Sequence, residues 1–326
     1  MRLVIVTPAP PGTQHGNRST ALRWARQLRA LGHKVSVMVE WDGSDCEAMI
    51  ALHARRSHGS IRRWRAAHPR RPLVLVLTGT DLYADIRTDA DARESLALAD
   101  CPVVLQPMGL DELEPSLRRN TRVIYQSVPP ARRGRPPRAT FLVTVIGHLR
   151  EVKDPFRAAY ALKYLPPKSR IRVVQLGSAM SPEFETEARS LMQSEPRYRW
   201  LGERGHADAL RWLGRSHAMV ISSTMEGGAH VVSEAIAAGV PVIASDIAGN
   251  VGLLGAGYPG YYRLGDERSL AALLCRAETD GRFLRALEAA VKARRGLADP
   301  AAERRAIADL IAALPFAIEG PSAPPH

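Results

Sequence analysis

The chain has 326 residues, enough for two α/β domains and too many for one small core. Its 45 lysines and arginines against 33 aspartates and glutamates give a formal charge of +12, which either solvates helix faces or attracts an anionic ligand. Nucleic acid is disfavoured as that ligand, because aromatic residues make up only 6% and no known binding module is present. Three widely spaced cysteines argue against a zinc site and for a reducing compartment. With no apolar run long enough to span a membrane, we expect a cytoplasmic protein.

The first half of the chain alternates short apolar runs with helical segments. An amphipathic helix is predicted over residues 18–31, with Asn17 as its N-cap and Gly32 as its stop. A second helix is predicted over residues 57–67. The apolar runs predict strands at residues 3–6, 35–39, 48–52, 73–77, 103–105 and 123–125. Strands that alternate with helices in this way indicate a doubly wound parallel sheet.

Polar clusters follow three of these strands, at residues 12–18, 53–58 and 78–81. Ligands of such sheets bind beyond the carboxyl ends of the strands, so these clusters are candidate binding loops. The first of them contains only G-x-x-x-G and is neither a dinucleotide fingerprint nor a P-loop. Asp89-Ala90-Asp91 has the D-x-D spacing of some metal sites, but it lies in a charged helical stretch and not at a strand end. We therefore predict a solvated helix face there and no metal site.

Residues 126–139 contain four prolines and four arginines, a composition typical of an interdomain linker. After it the alternation restarts, with strands predicted at residues 141–146, 172–176, 218–222 and 240–244. The sequence thus predicts one domain over residues 1–130 and a second over 131–298. The last segment, 299–326, contains a predicted helix at 301–314 and a tail from Gly320 that we expect to be disordered.

The most informative stretch is ISSTMEGGAHVVSEAIAAGVPVIASDIAG, residues 221–249. It predicts a strand end, a Gly-Gly turn, a helix over 229–238 and a second buried strand. Glu226 and Glu234 bracket the helix start, and at about 1.5 Å rise per residue their carboxylates lie at most about 12 Å apart. That separation suits a ligand with hydroxyl groups at both ends and a diphosphate between them. The amides of Gly227, Gly228 and Ala229 would hold the diphosphate at the helix N-terminus.

This strand, Glu-Gly-Gly turn, E-x7-E helix and Gly-x-Pro-Val strand resembles the nucleotide-sugar site of GT-B glycosyltransferases, particularly those of family 4. The resemblance implies an α/β fold of two doubly wound Rossmann-like domains facing a central cleft. It also implies that the final helix crosses back onto the first domain. In that family the first glutamate contacts the donor sugar and the second contacts the ribose hydroxyls, which assigns these roles to Glu226 and Glu234.

The first turn of the second half, GHLREVKDP at residues 147–155, extends the resemblance. Family 4 enzymes carry Gly-Arg-Leu here, with a lysine five residues after the arginine, and both cations bind the donor diphosphate. Lys153 matches the lysine, whereas His148 stands where the family has arginine. We expect Lys153, helped by either His148 or Arg150, to compensate the charge of the leaving group in place of a metal ion. The alternative is a charged loop that caps a helix opened by residues 154 and 155.

Longer segments resemble a narrower family, the selenosugar synthases of selenoneine biosynthesis. The most specific are GHLREVKDP and EGGAHVVSEA, and VTPAPPGTQHGNRSTALRWA extends the likeness into the first half. That family joins selenophosphate to the sugar of a UDP-hexose, typically UDP-N-acetylglucosamine, and forms a carbon–selenium bond. The resemblance implies a UDP-sugar and selenophosphate as substrates and no cofactor.

Selenophosphate is an anion and needs a cationic pocket lined by amides. The loop Gly12–Arg18 is our candidate, because Gly16 lets the backbone approach, Asn17 caps a helix and Arg18 offers a fork of donors. Thr80 ends a neighbouring strand and would face the same pocket. The same residues are also compatible with a simple capped turn. Two other functions stay open: a glycosyltransferase acting on a hydroxyl acceptor, and a non-catalytic nucleotide or nucleic-acid binding protein.

Overall fold

The computed structural model describes residues 1–13 and 16–316. The predicted tail from Gly320 lies outside the described residues, as do Gln14 and His15 of the loop at 12–18. The chain divides into two compact units. The first unit consists of Met1–Ile124 and the chain from Glu303 onward, and the second unit is Tyr125–Ala302. Each unit is built on one six-stranded sheet whose strands are all parallel.

The first unit has the strand order β2-β1-β3-β4-β5-β6. Its strands are β1 (Arg2–Val6), β2 (Lys34–Met38), β3 (Ala48–Leu52), β4 (Leu73–Leu77), β5 (Cys101–Val104) and β6 (Arg122–Val123). Its helices up to residue 124 are α1 (Gly16–Ala30), α2 (His58–Ala67), α3 (Ile86–Thr88), α4 (Ala90–Leu98) and α5 (Pro115–Arg118), with a π-helical turn at Asp81–Asp85 and a 3-10 helix at Pro107–Glu112.

The second unit has the strand order β12-β11-β10-β7-β8-β9. Its strands are β7 (Phe141–Ile146), β8 (Ile171–Leu176), β9 (Tyr198–Trp200), β10 (Ala218–Ile221), β11 (Val242–Ser245) and β12 (Tyr261–Tyr262). The helices from residue 125 on are α6 (Arg157–Ala161), α7 (Pro182–Ser194), α8 (His206–Gly214), α9 (His230–Ala238), α10 (Ala248–Leu254), α11 (Glu267–Thr279), α12 (Gly281–Ala293) and α13 (Pro300–Ala312), with 3-10 helices at Glu151–Lys153, Leu162–Tyr164 and Arg295–Ala298.

The central strands are buried on both faces, which is why the sequence shows them as continuous apolar runs. Every residue of β3 and of β4 is buried, as helices cover both sides of a parallel sheet. All the predicted strands are present, with ends that shift by up to two residues. The sequence analysis missed β9 and β12. Because these edge strands have only three and two residues, neither carries a detectable period.

Two predicted helix starts are wrong. Helix α1 begins at Gly16, so Asn17 lies inside the first turn and is not the N-cap. The buried face of α1, which includes Thr20, Ala21 and Trp24, holds the helix regardless of the weak propensity of glycine at its start. The helix expected to open at residues 154 and 155 instead begins at Arg157, because Asp154 has a left-handed backbone (φ +41°) that interrupts the chain's helical path.

In each sheet the chain leaves in opposite directions from two neighbouring strands, which creates a topological switch point. In the first unit the two strands are β1 and β3, and in the second they are β7 and β10. The loops that follow such strands diverge and leave a crevice at the carboxyl ends. In the second unit this places the loop after Ile146 beside the loop after Ile221.

Helix α13 is held in the first unit by a buried charged cluster. Both carboxylate oxygens of Glu303 accept hydrogen bonds of 3.0 Å from Arg23 Nε. The indole Nε1 of Trp24 donates to Glu303 Oε1, also at 3.0 Å. One turn further along α1, Gln27 Oε1 accepts a bond of 2.7 Å from Arg304 Nε. These contacts fix the register of α13 on α1, while Leu310 and Ile311 of α13 pack in the same core as Trp24.

Replacing Glu303 with alanine removes the carboxylate that pairs with Arg23, whose side chain is only 10% exposed. Loss of the carboxylate that compensates the buried charge of Arg23 is expected to lower the free energy of unfolding by about 3–5 kcal/mol. Urea denaturation followed by circular dichroism measures this as a lower midpoint. The control is Asp309→Asn at an exposed position of the same helix, for which we expect a change below about 0.5 kcal/mol. An unchanged midpoint for Glu303→Ala would contradict the stabilising role of the cluster.

Candidate functional site

The loops after β7 and β10 bring Lys153 and Glu226 together. Lys153 Nζ donates to Glu226 Oε1, and Ser223 Oγ donates to the same oxygen at 2.5 Å. A backbone bond of 2.9 Å from Thr224 N to Val152 O ties the two loops to each other. The two residues that the sequence analysis assigned to the diphosphate and to the sugar are therefore direct neighbours, although 73 positions separate them in the chain.

A cavity opens between these loops, and we call it the β7–β10 cavity. Its polar edge is formed by residues from both loops and its floor by strand ends. The residues that line this cavity include Gly147, His148, Lys153, Ser222, Ser223 and Val231. Because its lining combines a lysine, an imidazole and two hydroxyl groups over an apolar floor, this cavity suits an anionic group attached to a larger ligand.

Two glycines let the loops after β7 and β8 approach closely. Gly147 has φ +155° and Gly177 has φ +142°, values that residues with side chains rarely adopt. A Cβ atom on Gly177 would lie 2.0 Å from the carbonyl oxygen of Gly147, so no larger residue fits at position 177. The approach brings Ser178 to His148, whose Nδ1 accepts a bond of 3.3 Å from the Ser178 amide. With Nδ1 as an acceptor, the neutral imidazole carries its proton on Nε2.

The structure distinguishes between the two helpers expected for Lys153. His148 lines the β7–β10 cavity together with Lys153. Arg150 is exposed and is not among the described residues that line this cavity. His148 is therefore the helper that lines the cavity beside Lys153, and it also stands at the sequence position where the family carries arginine.

The Gly-Gly turn before α9 is held from two sides. Gln126 Nε2, from the chain entering the second unit, donates to the carbonyl of Gly228 at 3.0 Å. On the other side, α10 packs so closely that a Cβ on Gly249 would lie 2.0 Å from the carbonyl oxygen of Glu226. The turn leads directly into α9, which begins at His230 after Gly227, Gly228 and Ala229. The role of these three amides in phosphate binding stays a prediction.

Glu234 lies on α9 and is only 6% exposed. Its Oε1 forms a hydrogen bond of 2.6 Å with His206 Nε2, and His230 Nδ1 lies 3.2 Å from the same oxygen. Burial alone would raise the pKa of Glu234, but the two histidines outweigh it and lower the pKa to about 2. The same hydrogen bond raises the pKa of His206. Glu234 is therefore ionised at neutral pH and acts only as a hydrogen-bond acceptor.

The predicted stop of α9 is confirmed, since Gly239 has φ +68°.

Sequence reasoning missed four residues of this site: Gln126, Ser223, His206 and His230. His230 carried a local signal, because it precedes Glu234 by four residues and so shares its helix face. Ser223 and Gln126 had no such pattern. His206 reaches Glu234 from the separate helix α8, and a contact of that kind follows from packing and not from spacing.

In the first unit the loops after β3 and β4 are joined through Asp81, which is fully buried. Its carboxylate accepts from the amides of Gly79 at 2.7 Å, Thr78 at 2.9 Å and Ala54 at 3.1 Å. Asp81 therefore holds these two loops together. Thr80 follows β4, as predicted, and its hydroxyl forms a hydrogen bond with a neighbouring histidine.

That histidine, His53, has a left-handed backbone (φ +73°), which is unusual for a residue with a side chain. Its Nε2 lies 3.2 Å from Thr80 Oγ1. Burial lowers the pKa of His53, although the charges of Asp81 and Asp85 act in the opposite direction. The polar atoms of His53 and Thr80 thus lie together at the carboxyl edge of the sheet.

The structure describes the residues of the first unit that we predict to bind the acceptor, but not Gln14 and His15 of the same loop. Gly12 has φ +83° and Gly16 opens α1. Because α1 starts at Gly16, Asn17 and Arg18 both lie in its first turn. Arg18 Nη1 is buried without a hydrogen-bond partner among the described residues.

The D-x-D segment is exposed, as its pattern indicated. Asp89 caps α4 by accepting from the Ala92 amide at 2.9 Å. Asp91, whose side chain is 63% exposed, lies 3.5 Å from His58 Nε2, as does Glu94. The possible ligand atoms of these three residues all lie within 4.8 Å of one another, an arrangement that exposed acidic groups commonly form without a metal ion. None of the described helices combines the length and apolar character that crossing a bilayer requires.

Comparisons with known proteins agree with this geometry. Residues 132–294 match the family model described as glycosyl transferases group 1. No curated protein matches the sequence. Among solved structures, Anabaena HepE in complex with UDP and glucose has a TM-score of 0.77 at 18% identity over 96% of this chain and 100% of its own. Sucrose-phosphate synthase from Thermosynechococcus elongatus has a TM-score of 0.75 at 15% identity over 95% of this chain and 98% of its own.

Together with the two parallel sheets, these structural likenesses confirm the predicted GT-B fold of two Rossmann-like domains. The family model covers half of the chain, including Lys153, Glu226 and Glu234. The alternative of a non-catalytic binding protein is therefore set aside: the chain is an enzyme and belongs to the group 1 glycosyl transferases.

Proposed function

We propose that the second unit binds a UDP-sugar, typically UDP-N-acetylglucosamine, and that the enzyme transfers its sugar. The observation that carries this proposal is the pairing of Lys153, which lines the β7–β10 cavity, with Glu226, on the same segment as the ionised Glu234. The structure of Anabaena HepE in complex with UDP-glucose supports the choice of nucleotide. Residues 131–298 are accordingly proposed as the nucleotide-sugar domain and residues 1–130 as the acceptor domain.

Each part of the donor has a proposed partner of complementary chemistry. Glu234 accepts hydrogen bonds from the ribose hydroxyls, which an ionised carboxylate does well. Lys153 and His148 bind the diphosphate, with the amides of Gly227, Gly228 and Ala229. Glu226 accepts from the sugar hydroxyls. Arg150, which is exposed, is left with a weaker role at the rim of the diphosphate site.

During transfer the bond between the anomeric carbon and the β-phosphate oxygen breaks, and its electron pair leaves with UDP. Negative charge therefore grows on that oxygen in the transition state. A cation already in place stabilises this charge without reorganisation, and Lys153 is positioned for it by Glu226. Lys153 lies beside Glu226, the carboxylate that we assign to the sugar. One ion pair therefore orients both the residue that binds the leaving phosphate and the residue that binds the sugar.

For the acceptor we propose selenophosphate, on the strength of the long sequence segments shared with selenosugar synthases. Selenium attacks the anomeric carbon as an anion, so no proton has to be removed from it. The residues we assign to this anion are Gly12, Gly16, Asn17, Arg18 and Thr80. Support comes from Arg18, whose buried Nη1 has unused hydrogen-bonding capacity among the described residues.

A glycosyltransferase acting on a hydroxyl acceptor is the second candidate. The comparisons support this candidate better than the first, because the matched family and the similar structures are glycosyltransferases and none of them concerns selenophosphate. A hydroxyl acceptor must lose a proton as it attacks, so this candidate requires a general base. His53, with its pKa lowered by burial, is the first-unit residue with the chemistry for that role.

An assay of UDP release decides between the two candidates. Purified enzyme is incubated with UDP-N-acetylglucosamine, with and without selenophosphate, and released UDP is measured. We expect release to depend on selenophosphate, with a product that contains a carbon–selenium bond by mass spectrometry. Release supported by hydroxyl acceptors and not by selenophosphate would favour the second candidate, and binding of neither UDP nor a UDP-sugar would contradict both.

Lys153→Ala is expected to lower kcat by about 10²–10³-fold, because it removes a cation that stabilises charge formed only in the transition state. The matched control is Lys163→Ala, an exposed lysine of the same unit, for which activity should be unchanged. Steady-state kinetics of UDP release measures both variants. Activity that disappears with EDTA and returns with magnesium would contradict the assignment of the leaving-group charge to Lys153.

Arg18→Ala tests the acceptor assignment. Loss of a charge-assisted contact with an anion, at about 1.5–3 kcal/mol, predicts an increase of roughly tenfold or more in the KM for selenophosphate. The Kd for UDP should be unchanged, since Arg18 belongs to the first unit. Arg26→Ala, an exposed arginine further along α1, serves as the control. An unaltered selenophosphate dependence in Arg18→Ala would rule out this placement.

A further inference from the structure

The hydrogen bonds to Glu234 are unevenly distributed over its carboxylate. His206 donates to Oε1 and His230 Nδ1 lies 3.2 Å from the same oxygen, whereas neither histidine is paired with Oε2. An ionised carboxylate offers about four acceptor positions, two on each oxygen. The histidines therefore take up the positions on Oε1 and leave those on Oε2 for another donor.

The two histidines come from different elements, which fixes the carboxylate in space. His230 lies one turn before Glu234 on α9, whereas His206 is the first residue of α8. The side chain of His206 is 59% exposed, and that of Glu234 is 7% exposed. A long acidic side chain held from two directions loses little further rotamer freedom when a ligand binds.

We propose that His206 and His230 are positioning residues that hold Glu234 ionised and direct Oε2 toward a ribose hydroxyl of the donor. This inference rests on the proposed function, because it assumes that Glu234 receives the ribose. Neither histidine needs to touch the nucleotide. Their effect passes through the carboxylate, so it should depend on the presence of the ribose hydroxyls and on pH.

The surroundings of Glu234 make these histidines its main compensating groups. On the neighbouring helices, Asp208 of α8 is paired with Arg211 at 2.9 Å, and Glu288 of α12 lies 3.7 Å from Arg133. Arg295 lies near Gly239, at the other end of α9. Helix α10, which also packs on α9, has no titratable residue.

The direction of the pH effect follows from this arrangement. With both histidines present, the pKa of Glu234 is about 2, so the carboxylate stays ionised throughout the weakly acidic range. Without them, burial is the dominant influence and raises the pKa of Glu234. A protonated carboxyl group loses acceptor positions, so nucleotide binding by such a variant should weaken as the pH falls.

The experiment measures the Kd of UDP and of 2′,3′-dideoxyuridine diphosphate by calorimetry, at about pH 8 and about pH 5. The proteins are wild type, His206→Ala, His206→Gln and the double variant His206→Ala/His230→Ala. We expect the double variant to bind UDP about tenfold more weakly at the higher pH, and weaker still at the lower pH relative to wild type. Binding of the dideoxy nucleotide should change less than about twofold, because it lacks the hydroxyls.

His206→Gln keeps a donor and should retain most of the affinity for UDP, as should the control Glu203→Gln, an exposed residue of the loop before α8. Equal weakening of UDP and of the dideoxy nucleotide would overturn the inference, as would a preference for UDP that is the same in every variant. If the double variant does not fold, His206→Ala decides alone, because His206 is largely exposed. A wild type that binds no UDP would instead refute the proposed function.

Discussion

The ion pair between Lys153 and Glu226 is the interaction on which the second unit's site depends. It exists because β7 and β10 are neighbours in the sheet, so the loops that follow them lie side by side. Both side chains are largely buried, at 23% and 10% exposed, and the loss of either would leave a charge without its partner. Ser223 adds a third group to the same carboxylate oxygen, which restricts the geometry further.

The loops around this pair are held by close backbone contacts that only glycine permits. Gly177 lies against the carbonyl of Gly147, and Gly249 lies against the carbonyl of Glu226. Any side chain at position 177 or 249 would push apart the loops that define the β7–β10 cavity. The precision of the site is thus set by the main chain, and the charged side chains occupy positions that the main chain has already fixed.

Local patterns predicted the parts of this site that lie within one strand–turn–helix unit. The spacing of Glu226 and Glu234, the Gly-Gly turn and the stop at Gly239 are all encoded within about four helical turns of sequence. His206 could not be predicted in this way, since its contact with Glu234 depends on how α8 packs on α9. The start of α1 was misplaced because buried contacts override the weak helix propensity of Gly16.

A site proposed for a dianionic diphosphate contains two carboxylates, and each has its own compensating donors. Glu234 is compensated by the imidazoles of His206 and His230, so its carboxylate is ionised before any ligand binds. Glu226 is offset by Lys153, which the diphosphate would also attract. In the proposed complex, donor binding would change the balance of the Lys153–Glu226 pair, whereas both histidines would keep their contacts with Glu234. This difference separates a pre-organised nucleoside end from a reacting end, where the strength of one cationic contact changes as the glycosidic bond breaks.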